Sequence, residues 1–214
     1  MNLSVPQCVT PAITALLVLG VTAPASAQFE EADTLPRFSV GAFGDFGFRN
    51  KRGETAAGDE VSFTSSPGGG LRLDYRLTQT LTLAAFGSYT RVQERVEFSD
   101  GTVSVFDPHF DLFHFGGELL VRVKPRIPGY FILGGGAQHV APEGDDPGLQ
   151  LTSTDSFTET FGIAGAGYEF ASTRGRAFRV NFRFFLINPA DQERYNPKSI
   201  EIDFVLGAAF ILRL

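Results

Sequence analysis

The sequence predicts an all-β protein: an eight-stranded antiparallel up-and-down transmembrane β-barrel, with short periplasmic turns and longer outer loops. Three observations lead there. Apolar residues recur at every second position in eight segments after residue 36, and charge is confined to the opposite face. The connections alternate in length, short after the second, fourth and sixth segments and long and polar after the others. No segment after residue 27 is apolar and long enough for a membrane helix, yet Ile200 to Leu214 is apolar at every even position.

Met1 to Ala27 holds no Asp, Glu, Lys or Arg, and its apolar run Ile13 to Val21 leads to Ala25-Ser26-Ala27, a small-x-small site. Residues 1–27 are expected to be a cleaved signal peptide, and 28–36 a short acidic periplasmic lead-in to a barrel domain over 37–214. Cleavage would remove Cys8, the only cysteine, so neither a disulfide nor a thiolate metal site is expected. The net charge is −6, and no basic stripe suggests nucleic acid.

The first strand is expected over Phe38 to Phe48, with Phe38, Val40, Ala42, Phe46 and Phe48 on one face and Asp45 opposite. Arg49 to Ser65 reads as a polar loop. The second strand, Ser66 to Leu77, turns Leu71, Leu73, Tyr75 and Leu77 outward and Arg72, Asp74 and Arg76 inward. After the turn Thr78-Gln79-Thr80, the third strand starts at Leu81 and passes Tyr89 and Val92. Asp100-Gly101 between alternating residues signals a hairpin, so the third and fourth strands should extend beyond the bilayer as a ribbon. The fourth strand runs through Phe110 to Lys124, with Phe113, Phe115, Leu119, Val121 and Val123 opposite His114, Glu118 and Arg122.

The fifth strand, Tyr130 to His139, has the centre Gly134-Gly135-Gly136, which leaves its facing open. Ala141 to Asp155 reads as an acidic loop. The sixth strand, Ser156 to Phe170, sets Glu169 opposite Tyr168 and Phe170. In the seventh, Arg176 to Ile187, Phe178, Val180, Phe182, Phe184 and Leu186 oppose Arg179, Asn181 and Arg183. The loop from Asn188 to Pro197 leads to the last strand, which turns Glu201 and Asp203 to the charged side. A closed barrel satisfies every backbone polar group in hydrocarbon and leaves no free edge.

The Ala25-Ser26-Ala27 site, the strand Gly165-Ala-Gly-Tyr-Glu-Phe170 and the alternating end Phe210-Ile-Leu-Arg-Leu214 resemble the small eight-stranded outer-membrane β-barrels of Gram-negative bacteria, the OmpA/OmpW-like superfamily. The resemblance implies an outer-membrane location, contact with outer-membrane lipids, and recognition of Phe210, Leu212 and Leu214 by the assembly machinery. The chain ends in Leu214 where such barrels usually carry Phe or Trp. No OmpA-type peptidoglycan-binding domain is expected after the barrel.

Eight strands enclose a space just wide enough for side chains. Arg72, Asp74, Arg76, Glu118, Arg122, Glu169, Arg179, Arg183, Glu201 and Asp203 are therefore expected to form a mutually neutralising lumen network, because buried charges must be paired. None of His109, His114 and His139 carries the His-x-Ser pair of the lipid A deacylase barrels, so no catalysis is expected. Glu143, Asp145 and Asp146 read as a solvated acidic loop rather than a metal site, and no cofactor is expected. The expected function is a monomeric, non-enzymatic barrel with a structural or interaction role and no wide pore. The alternatives are a narrow channel or transporter for small or apolar solutes, as in OmpW-like proteins, or, less favoured, a lipid-modifying enzyme.

Overall fold

The computed structural model describes residues 37–49, 51–54, 57–124, 127–143, 156–170, 175–188, 196–197 and 200–214. The expected leader 1–27, the lead-in 28–36 and most of the acidic loop, Asp145 and Asp146 included, lie outside the described residues. Among the described residues there are eleven strands: β1 (Phe38–Phe48), β2 (Lys51–Glu54), β3 (Glu60–Phe63), β4 (Ser66–Arg76), β5 (Leu81–Glu97), β6 (Val103–Arg122), β7 (Gly129–Pro142), β8 (Phe157–Phe170), β9 (Arg176–Asn188), β10 (Asn196–Pro197) and β11 (Glu201–Arg213). The eight long ones pair antiparallel in the order β1-β4-β5-β6-β7-β8-β9-β11, and β11 pairs back with β1. The sheet thus closes, as eight period-two segments predict.

Alternation sets the facing. Along β9 the burial switches at every residue, so that Phe182 is 40% exposed while Arg183 is 3% exposed. β11 alternates in the same way, burying Glu201, Asp203, Val205, Ala209 and Ile211. The open facing of the fifth strand resolves as Tyr130, Ile132, Gln138 and Val140 inward and Phe131 and Leu133 outward. Glycine is required at Gly134, where a Cβ would lie 3.0 Å from the Cα of Glu118 and closer still to the Gly117 carbonyl. The two backbones meet there, and only a residue without a side chain lets the sheet coil so tightly.

One end of the barrel is built from tight turns. Thr78 Oγ1 accepts hydrogen bonds from the amides of Thr80 (3.2 Å) and Leu81 (3.0 Å), a side-chain-supported turn between β4 and β5. At the other end β5 and β6, 17 and 20 residues long, outrun the ~9–11 residues a membrane-spanning strand needs. Their ribbon closes at Asp100-Gly101, where Gly101 has φ 84° and Asp100 accepts from the Thr102 amide at 2.8 Å.

Two expectations need correction here. The stretch 49–65 is not simply a polar loop, because it contains β2 and β3. β3 adds to the edge of β5, pairing Val61 with Val96, and both side chains are fully buried. β2 in turn pairs with β10, which lies inside the stretch 188–197 also read as loop. The cause is tertiary: a ribbon projecting past the bilayer would expose an unpaired edge, and the neighbouring connections cover it.

Candidate functional site: the barrel lumen

Strand alternation points one side chain in two into the lumen, and at the turn end these are mostly arginines and carboxylates. Glu169 on β8 binds three guanidinium groups, from Arg179 (2.6 Å), Arg213 (2.8 Å) and Arg122 (2.9 Å). Arg179 spans the lumen from β9 to reach Asp74 on β4 at 2.5 Å. Asp74 also accepts from Arg72 Nε at 2.8 Å, and Arg72 approaches Glu118 at 3.6 Å. Arg183 Nε lies 2.8 Å from Glu118, again across the lumen. The Tyr130 ring fills the space between, 5.9 Å from both the Arg122 and Arg179 guanidinium carbons. Such continuity is a physical requirement, since a buried ion without partners costs several kcal/mol.

Above this network lies an apolar layer that includes Phe43, Phe86, Phe161, Ile163, Phe185 and Val205. The Phe161 and Phe185 rings are 4.9 Å apart, and His114 packs on both, at 6.1 and 5.8 Å. His114 is therefore buried in the lumen among aromatic rings.

The loop end is charged again, in a different way. Arg52, on β2 of the first connection, reaches into the lumen and places one guanidinium nitrogen 2.5 and 2.6 Å from the two Glu159 oxygens. Its Nε is 3.5 Å from Glu201, its guanidinium lies 4.5 Å from the Phe63 ring centre, and Gln138 donates to Glu159 at 3.1 Å. Arg49 binds Asp203 at 2.6 Å. Phe63, Val92, Phe110, Leu112 and Val140 form a second apolar cluster at this end.

The charges expected in the lumen lie mainly at its two ends. Arg72, Asp74, Glu118, Arg122, Glu169, Arg179 and Arg183 come together at the turn end. Glu201 and Asp203 are buried at the other end with the first connection. Arg76 is half-buried, its amide donating to the Arg37 carbonyl at 2.8 Å. Phe210, Leu212 and Leu214 are exposed, and the Leu214 amide bonds the Phe38 carbonyl at 2.9 Å, stitching the last strand to the first. Sequence reasoning missed Glu159 and Gln138, although each shares parity with an inward residue of its own strand. It missed Arg49 and Arg52 for a better reason, since no period governs a connection.

In the lumen, Ser88 on β5 is the register partner of His114 on β6. His139 Nδ1 meets Thr158 Oγ1 at 3.1 Å on an exposed part of the wall. Among the described residues no group of three or more His, Cys, Asp and Glu could hold a metal ion. Glu143 pairs with Arg91 at 3.3 Å.

A closed eight-stranded sheet with apolar side chains outside and paired ions inside is built for a bilayer. Residues 13–210 match the family model described as the outer membrane protein beta-barrel domain. The chain belongs to this family. It is an outer-membrane barrel, with its turn end at the periplasm and its loop end outside.

Three solved structures are similar to the chain at low identity. Outer membrane protein OprG from Pseudomonas aeruginosa is 12% identical with a TM-score of 0.52, over 84% of this chain and 96% of that one. Neisserial surface protein A is 17% identical with a TM-score of 0.49, over 83% and 97%. The outer membrane protein AlkL, solved in DMPC bilayers, is 13% identical with a TM-score of 0.48, over 84% and 92%. No curated protein sequence matches the chain.

Proposed function

We propose that this outer-membrane barrel has a structural or interaction role, carried by its outer sheet, and that its lumen conducts no bulk solute. The observation that carries this reading is the filling of the lumen at three successive levels. Arginine–carboxylate pairs cross it at the periplasmic end, aromatic rings pack its middle, and Arg52 occupies it at the outer end. Opening a path would require breaking buried ion pairs and parting packed rings together.

On this reading the lumen charges are structural, the protein is monomeric and not an enzyme, and its immediate partners are outer-membrane lipids. The assembly machinery would read Phe210, Leu212 and Leu214 on the last strand. The outer sheet β10-β2-β3-β5-β6 supplies the surface for other partners, with Val103 and Val105 exposed on β6. Planar-bilayer recording tests the proposal. The expected result is no stable stepwise conductance, and porin-like steps would overturn it. Lipid A mass spectra should be the same with and without the protein.

A further inference from the structure

The ion network at the periplasmic end of the lumen begins and ends in arginine. Arg183 binds Glu118, which Arg72 also approaches. Arg72 and Arg179 share Asp74, and Arg179, Arg122 and Arg213 share Glu169. Five guanidinium groups therefore divide three carboxylates between them. Asp45 lies in the field of Arg183 and Arg49, yet among the described residues it makes no ion pair with either. Even with Asp45 counted, the arginines are in the majority, and buried charge of one sign needs compensation.

Two donors in this network have no acceptor. Arg72 gives its Nε to Asp74 and turns Nη1 toward Glu118, while its Nη2 is buried without a hydrogen-bond partner. The Tyr130 hydroxyl is buried without a partner too. Both residues are almost wholly enclosed, Arg72 being 2% and Tyr130 3% exposed. The Tyr130 hydroxyl lies in the field of Arg179, Arg72 and Arg183, with Glu169 as the opposing charge. Its place is built into the wall. Gly167 on β8 is the register partner of Tyr130, and a Cβ there would lie 2.5 Å from the phenol oxygen. Only a residue without a side chain leaves room for that tip.

Elementary chemistry narrows the occupant. A water molecule accepts from both donors but leaves the surplus positive charge as it was. An anion answers both needs at once, through charge-assisted hydrogen bonds. The lumen here is already crowded: the Arg183 guanidinium lies 5.7 and 6.0 Å from the Phe43 and Phe86 ring centres, and the Tyr130 ring fills the space between Arg122 and Arg179. Such space favours a single-atom anion over a tetrahedral oxyanion.

We propose that the periplasmic end of the lumen is a halide site, holding one chloride ion between the Arg72 guanidinium and the Tyr130 hydroxyl. The ion enters from the periplasm past Arg122, whose side chain is the most open of the five at 16% exposed. It is resident in the lumen and is not conducted through it.

The test is urea unfolding of the full barrel from phosphatidylcholine vesicles, with sodium chloride replacing sodium gluconate at constant ionic strength. A ligand that binds only the folded state lowers the unfolding constant. For one site the fall approaches tenfold for each tenfold rise in free ligand, once the site is full. That limiting slope is the expected result. Tyr130→Phe keeps the ring and removes the donor, and should move the dependence to about tenfold higher chloride. Indifference of the unmodified barrel to chloride would overturn the proposal. An unchanged dependence in Tyr130→Phe would overturn it as well, by placing the ion elsewhere. So would a dependence that emerges only when Glu30→Gln, Glu31→Gln and Asp33→Asn are combined, because a carboxylate of the lead-in would then be the occupant.

Discussion

At the periplasmic end of the lumen five arginines, Arg72, Arg122, Arg179, Arg183 and Arg213, meet three carboxylates, Asp74, Glu118 and Glu169. Each comes from a wall strand. At the outer end the cations Arg49 and Arg52 meet Glu159, Glu201 and Asp203, and both come from the first connection. The same need, pairing of buried charge, is met in one place by the barrel and in the other by a segment laid into its mouth. Groups fixed to eight closed strands cannot separate without opening the sheet. A cation carried on a short hairpin can leave while the sheet stays closed, and water can then reach the carboxylates it abandons.

The difference predicts unequal responses. The largest should come from Glu169→Gln, which leaves the Arg122, Arg179 and Arg213 guanidinium groups crowded around a neutral amide. Breaking a buried pair from one side costs about 3–5 kcal/mol, read as a loss in reversible unfolding from lipid vesicles. A loss below 1 kcal/mol would mean that water already screens this end.

The facing that creates the periplasmic network is tested next. Phe182→Arg puts a charge on lipid near the midplane and should cost about 2–4 kcal/mol, while Phe182→Leu should cost far less. A harmless Phe182→Arg would shift the register of β9 by one residue and exchange its two faces.

Arg52→Ala should cost less than Glu169→Gln, about 1–3 kcal/mol, because Glu159 and Glu201 can hydrate through the vacated mouth. A cysteine at Gln138 should react with a water-soluble thiol reagent in that variant and not otherwise. Conductance should stay absent, since the aromatic layer and the periplasmic network remain. A conductance gained on Arg52→Ala alone would place the whole barrier at the outer end.

The smallest effect lies at the ribbon tip, beyond both lumen networks. Hydrogen bonds from the Thr102 hydroxyl and amide hold the Asp100 carboxyl below its ordinary value of 3.8. A lowered folded value means that this contribution is complete above about 3.8 and is lost as pH falls through the folded value beneath it. The Thr102 amide shift, followed by NMR, should therefore titrate below 3.8, and Thr102→Val should move that midpoint upward. A midpoint at or above 3.8 would show that the turn is not held by these bonds.

The strand positions, and the inward side of β4, β6, β8, β9 and β11, could be read because side-chain direction in a strand alternates with a fixed period. Phe182 and Arg183, or Leu73 and Asp74, declare their faces before any partner is known. β7 could not be read so, because Gly134-Gly135-Gly136 carries no side chains to mark a face. β2 and β3 were lost in a polar stretch, since four residues of alternation, Glu60 to Phe63, do not rise above composition.

The sequence alone determined the membrane class, the eight long strands and the charged side of β4, β6, β8, β9 and β11, because these follow from local periodicity and the cost of charge in lipid. Only the tertiary structure decided which charges pair. Arg179 and Asp74 are 105 positions apart, and Arg52 and Glu159 are 107 apart. Closure of the sheet sets the first distance, and the fold of a connection sets the second. Neither leaves a period in the chain, because partners across a lumen are chosen by shape and charge after the walls have formed.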